Sequence, residues 1–199
     1  MRVALDSFRE NLNRARSLTG LAESLSNLTT DVIEFSDIFR ASLVLGVSAL
    51  DHFVHEFVRL GMLEVHRGHR PLTDAHLSFK IPLSAVRTAI SDTSQDQWLD
   101  QIIREAHSWR SFQKPEHIAE AIRLMSLTNI WNQVSLEMGI SDEEAKTQLK
   151  AIVDRRNKIA HEADMDITNP GHRWPINEIL VREALDFLEK LVNAIFNVA

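Results

Sequence analysis

Cysteine and tyrosine are both absent from the 199-residue chain. Without cysteine there is no disulfide framework, no thiolate zinc site and no cysteine nucleophile; without tyrosine no phenol can serve in a site. Glycine (6) and proline (5) are scarce, which suits long helices better than many short strands joined by turns. Neither a glycine-rich phosphate loop nor a serine-centred nucleophile elbow occurs. The longest apolar run, residues 41–50, is interrupted by Ser42, Gly46 and Ser48 and is too short to span a bilayer. Charge enters the opening residues Met1 to Asp6 too early for a signal peptide, so a cytoplasmic protein with no membrane partner is expected. A net charge of -6 provides no global basic field for duplex DNA and leaves room for a local basic patch. Length and a hydrophobic fraction of 44% fit one domain over residues 1–199, with 1–30 as a candidate N-terminal helical extension.

What is present is helical periodicity. Leu5, Phe8, Leu12, Ala15 and Leu18 recur at helical spacing, with Gly20 as a candidate break. A long helix is predicted from about Thr30 to about Val65, ended by the stretch His66 to Pro71, and Leu72 to Pro82 reads as a connection. Shorter helices are predicted over Ser84 to Ile90 and Gln97 to Trp109. Pro115 suits the first turn of another, and one carrying Trp131 should stop at Gly139. Ser141 with Glu144 forms a capping box for a helix to about Glu162. After a turn at Asn169-Pro170-Gly171, Asn177 caps a last helix to about Val198 whose apolar positions exceed one core stripe, leaving surplus for a partner. The fold class is all-α, a bundle with long N-terminal and C-terminal helices.

Chemistry concentrates in Arg155-Arg156-Asn157-Lys158-Ile159-Ala160-His161-Glu162. Arg156 and His161 fit the pattern Arg, four residues, His. With 16 Arg and 9 His, chance supplies roughly 0.7 such pairs at any one spacing, so the bare match decides little. Its context says more. Asn157 and His161 stand four apart and share a helix face, and the long Arg156 stem can swing towards it. A guanidinium forks a phosphate and stays charged, and an imidazole can give or take a proton. In RNA the nucleophile can be the substrate's own 2′-hydroxyl, so neither a protein nucleophile nor a metal is required. The plain alternative is a basic cluster that complements the C-terminal end of a helix dipole. Arg155 and Lys158 are supporting candidates in either case.

Other clusters weigh less. His52, His55 and Glu56 lie at metal-compatible spacing beside Asp51, but a zinc site needs three or four converging ligands and a polar groove is the simpler reading. His66, Arg67, His69 and Arg70 form a basic loop that reads as solvated by default. Of the four tryptophans, Trp98, Trp109 and Trp131 read as core or interface. Trp174, after His172 and Arg173, is the best base-stacking candidate and groups with them as an RNA-binding turn.

The stretch IVDRRNKIAHEADMD, a turn, and PINEILVREALDFLEKLVNAI together resemble the HEPN superfamily of small helical proteins, many of them ribonucleases. The branch most similar is RiboL-PSP-HEPN: LVLGVSALDHFVHEFV resembles its long N-terminal helix, and IWNQVSLEMGISDEEAKTQLKAIVDRRN its approach to the motif. The resemblance covers about Phe39 to Ile195, with Leu72 to Lys114 least matched. It implies a metal-independent endoribonuclease without cofactor, acting on single-stranded RNA in a toxin, phage-defence or RNA-turnover role, with an antitoxin protein as a candidate partner. It also implies a homodimer in which two Arg–His motifs face one cleft. Carried over, Arg156 and His161 are the catalytic pair, Asn157 orients the imidazole or the phosphate, and Asp51, on the helix alongside, positions Arg156 or His161. One departure stands out. HEPN toxins with nucleotidyltransferase antitoxins carry Tyr two places after the His, and here that place is Ala163, so control by adenylylation of that Tyr is not available. The competing reading is a non-catalytic helical dimerisation module that binds a partner protein or nucleotide.

Overall fold

Helical periodicity in the sequence becomes nine helices among the residues described by the computed structural model, 1–28, 35–91 and 96–199. They are α1 (Arg2–Leu28), α2 (Ser36–His66), α3 (Asp74–Leu77), α4 (Leu83–Ser91), α5 (Gln97–His107), α6 (Pro115–Ile122), α7 (Ile130–Met138), α8 (Asp142–Glu162) and α9 (Glu178–Val198). The expected all-α class holds: the described residues contain no strand, only an isolated antiparallel bridge between Met165 and Arg173.

At the centre lies α2, packed against α1, α8 and α9. Its Leu43, Val47, Leu50, Phe53, Val54, Phe57 and Val58 are buried at helical spacing, and Phe53 stacks on Phe57 with ring centroids 5.0 Å apart. At Gly46 the approach of α9 is so close that a Cβ would run into the Leu185 side chain. By length and composition α2 is apolar enough to cross a bilayer, which the short run 41–50 understated. In this fold 56% of its most apolar window is buried within the protein, as befits a core helix.

The sequence expectation fails at Gly20, through which α1 continues to Leu28. A helical glycine costs about 1 kcal/mol against alanine, and tertiary contacts outweigh it. Thr19 and Ser42 share a 2.8 Å hydroxyl contact, and Ser42 Oγ donates to the Ala15 carbonyl at 2.7 Å. Ala4, Leu5, Phe8, Leu12 and Ala15 of α1 are buried in the common core. The predicted start of the long helix near Thr30 lies outside the described residues. The predicted connection 72–82 contains the one-turn α3, whose N-cap Thr73 accepts from the His76 amide at 3.0 Å. Helix α5 stops at His107, so Trp109 follows it rather than ending it.

Both expected caps form. Ser141 Oγ accepts from the Glu144 amide at 3.1 Å to start α8, and Asn177 Oδ1 accepts from the Leu180 amide at 2.9 Å to start α9. Helix α8 ends at Ala163, which adopts the left-handed conformation (φ 51°) that reverses the chain, as does Asp164 (φ 59°). Ion pairs of Arg59 with Asp100 and of Arg104 with Glu56 tie α5 to α2.

Candidate functional site

Ala145, Leu149, Ile152 and Val153 form the buried stripe of α8, and the next position on that stripe is Arg156. The apolar face therefore ends on a guanidinium, half-buried at the margin of the core. Burial pushes its pKa below the ordinary value, and the Asp51 carboxylate on α2 opposes that shift. Arg156 Nε is buried without a hydrogen-bond partner, and among the described residues Arg156 makes no ion pair. Asp51 is committed elsewhere: Oδ1 accepts from the Phe112 amide at 2.6 Å and Oδ2 from Gln113 Nε2 at 3.1 Å. So Asp51 supplies a field near Arg156 rather than a direct bridge, and it also holds down the loop after α5.

Five positions separate Arg156 from His161. At 3.6 residues per turn they project about 140° apart around α8, and no hydrogen bond joins them in one chain. Asn157 and His161 lie on one edge, with Asn157 half-buried and His161 exposed. Lys158 places its ammonium over the Trp174 ring, 5.3 Å from the centroid. The cluster thus divides into an unpaired guanidinium, an exposed imidazole and a lysine already engaged.

Arg155 serves a different purpose. Asp164 is 0% exposed, and its Oδ2 accepts from Arg155 Nη2 at 2.8 Å and from Arg40 Nε at 2.7 Å. The same two arginines donate to the Trp174 carbonyl at 3.0 and 2.9 Å, and Arg155 also reaches the Pro175 carbonyl at 3.1 Å. Burial lowers the pKa of Arg155; Asp164 opposes this and Arg40 adds to it. Two guanidiniums on one buried carboxylate fasten the segment after α8 onto α2 and fix where the motif helix ends. Sequence reading missed Arg40 and Asp164. The available signal was a lone arginine at the start of an otherwise apolar helix, which on burial demands an anion.

The remaining candidates are scattered. Glu56 is held by Arg59 and Arg104, His55 Nε2 lies 3.2 Å from the Arg110 carbonyl, and His52 is exposed. No group of three or more potential ligands converges on a metal position among the described residues. Arg67 pairs with Asp96, and Arg70 with Glu64 and the Ala199 carbonyl, so much of the basic loop is tied to the protein. His172 is exposed, Arg173 pairs with Asp37, and Trp174 is half-buried beneath Lys158. A second group missed by sequence is His107: 3% exposed, both ring nitrogens unpartnered, packed on Phe112 and Phe79, its pKa pushed down to about 4 by burial with help from His55 and Arg110.

The arrangement defines a helical bundle that presents a motif helix with an unpaired arginine and an exposed histidine at its C-terminal end. A family model for RiboL-PSP-HEPN matches residues 9–199, and the chain belongs to that family. HEPN domains are typically ribonucleases. No curated protein and no solved structure is matched by this chain.

Proposed function

We propose that the protein is a metal-independent endoribonuclease of single-stranded RNA that works as a symmetric homodimer. The observation that carries this reading is the unpaired Arg156 guanidinium, half-buried beside Asp51 on the same helix as the exposed His161. An arginine left without an anion at the margin of a core keeps its donors for one, and a phosphodiester fits the fork. One imidazole takes the proton of the 2′-hydroxyl, whose oxygen then bonds to phosphorus. The bond from phosphorus to the 5′-oxygen breaks in line, and a second imidazole protonates that oxygen. The products are a 2′,3′-cyclic phosphate and a 5′-hydroxyl. One chain brings a single His161, about 140° around the helix from its own Arg156; a two-fold axis supplies the second imidazole and a second guanidinium. Asn157 orients the imidazole or the phosphate, with His172 and Arg173 as outlying RNA contacts. A toxin or phage-defence role in the cytoplasm, restrained by an antitoxin protein, is the biological setting we infer.

Labelled single-stranded RNA incubated with purified protein in EDTA tests the chemistry. Cleavage should survive chelation, yield the cyclic phosphate and stop at a 2′-deoxy position. It should fall by about 10²–10³ in His161→Ala and in Arg156→Ala, and nearly as far in Arg156→Lys, because an ammonium cannot reproduce the fork. Equal cutting of DNA, dependence on added metal, or full activity in Arg156→Lys would sink the mechanism. RNA left intact while the chain still dimerises and captures a protein or nucleotide would favour the non-catalytic module.

A further inference from the structure

Just after His161, two successive residues that are not glycine take the left-handed conformation: Ala163 (φ 51°) and Asp164 (φ 59°). A side chain with a Cβ adopts it at a cost, alanine more than aspartate, and two in a row persist only where the surroundings impose them. What the pair achieves is the end of α8. The Asp164 amide donates to the Lys158 carbonyl at 3.0 Å, and the Met165 amide to the Glu162 carbonyl at 3.2 Å. Main-chain bonds from these residues thus close the turn that carries His161, whose carbonyls the helix itself leaves unsatisfied.

The Asp164 side chain is what imposes that conformation. It is fully buried, and its Oδ2 accepts both from Arg155, nine residues earlier on α8, and from Arg40 on α2. The Asp164 carbonyl accepts from the Trp174 amide at 2.9 Å, and the Trp174 carbonyl accepts from the same two guanidiniums. A single residue therefore fastens the end of α8 to the body of its own helix, to α2 and to the returning chain. His161 has no support of its own. It is exposed, and no hydrogen-bond or ion-pair partner is found for it among the described residues. Its imidazole stands where the backbone of the last turn puts it. A proton-transfer group must reach hydrogen-bond distance of the atom it serves, and a misplacement of about 1 Å can cost about 10²-fold in rate.

We infer that Asp164 is a positioning residue for His161: held by Arg40 and Arg155, it fixes the last turn of α8 so that the imidazole is presented for proton transfer. This rests on the ribonuclease reading and adds to it the device that sets the geometry of its acid–base group. Asp164 lies out of reach of RNA and acts only through His161. Arg40 and Arg155 serve the carboxylate rather than a phosphate, since their donors are already engaged within the chain.

The test measures cleavage of labelled single-stranded RNA by the full chain, at a temperature where far-UV circular dichroism shows every variant folded. Asp164→Asn keeps the shape and the tolerance of the left-handed backbone and removes the charge that gathers the two guanidiniums. It should lower kcat about tenfold and leave KM within about twofold, because the phosphate site at Arg156 is untouched. A double-mutant cycle separates positioning from plain support of the fold. In a His161→Ala background the Asp164→Asn loss should shrink to under about twofold, since the positioned group is gone; in an Arg156→Ala background it should stay near about tenfold. Amide exchange should quicken at Asp164 and Met165 while the amides of Leu149 to Val153 keep their protection. Should Asp164→Asn fail to fold, Arg155→Ala is the milder lesion, with about a threefold loss of kcat that likewise disappears in His161→Ala. A kcat per folded molecule equal to that of the wild type, or a loss of the same size in the His161→Ala background, overturns the positioning role while the ribonuclease reading stands. A wild type that cuts no RNA overturns both.

Discussion

Replacing Asp164 by asparagine removes one negative charge and almost no volume. Asparagine tolerates the left-handed backbone found there (φ 59°) as well as aspartate does, so the change reports on charge. Asp164 is fully buried and Arg40 is 6% exposed, so the charge lost leaves a guanidinium that water scarcely reaches. Arg155 is less demanding, with 24% of its side chain accessible and two carbonyls still accepting from it, whereas Arg40 keeps the Ser36 hydroxyl, the Trp174 carbonyl and the looser Asp37 carboxylate at 3.6 Å but has little access to water. Breaking a buried pair by removing one partner costs about 3–5 kcal/mol. The amide oxygen keeps some of the hydrogen bonding, and water relieves Arg155, so about 3 kcal/mol is expected for Asp164→Asn and about 4 for Asp164→Ala. Urea unfolding followed by far-UV circular dichroism measures it. With a slope of roughly 2 kcal/mol per molar, the Asn variant should lose about 1.5 M in midpoint. Arg155→Ala should cost less than half as much as Arg40→Ala. A loss under about 0.5 kcal/mol in Asp164→Asn, or equal costs at the two arginines, would refute the account of the clamp.

Two other expectations concern stability. His107 has its folded pKa depressed from 6.5 to about 4, so as pH falls the unfolded chain takes the proton first. Its contribution is complete above about 6.5 and is lost between there and about 4; the full linkage of about 3 kcal/mol is discounted to about 2 because neighbouring His55 and Arg110 are reached by water. Unfolding curves across that window should be steeper in pH for the wild type than for His107→Phe, and parallel curves would contradict the assignment. Ala163→Gly should stabilise by about 0.5–1 kcal/mol, the left-handed penalty of alanine less the chain entropy of glycine. A melting temperature raised by roughly 2 °C is the readout, and a lowered one would mean that the Ala163 methyl makes contacts worth more than the strain.

The all-helical class, the capped starts of α8 and α9, and the helix that carries Arg156 and His161 could be read from the sequence, because each depends on residues within a turn or two of one another. Ser141 with Glu144 caps wherever it is placed, and a 3.6-residue apolar repeat demands a core. Tertiary structure decided everything that joins distant residues. Gly20 stays helical because Thr19 and Ser42 hold α1 to α2. Arg155 and Arg156 are neighbours of the same type, yet one clamps a buried carboxylate and the other is left without an anion. Adjacent positions on a helix point about 100° apart, and what waits in each direction is settled by packing: Asp164 with Arg40, 124 residues away, on one side, and Asp51 on the other. The same holds for the tryptophans. Trp174 looked open by its place in a turn and is covered by Lys158, whereas Trp109, read as core or interface, is not core and stands exposed on the single chain. Local order follows from local sequence, but which polar group is paired and which is left unpaired depends on neighbours that only the folded chain provides.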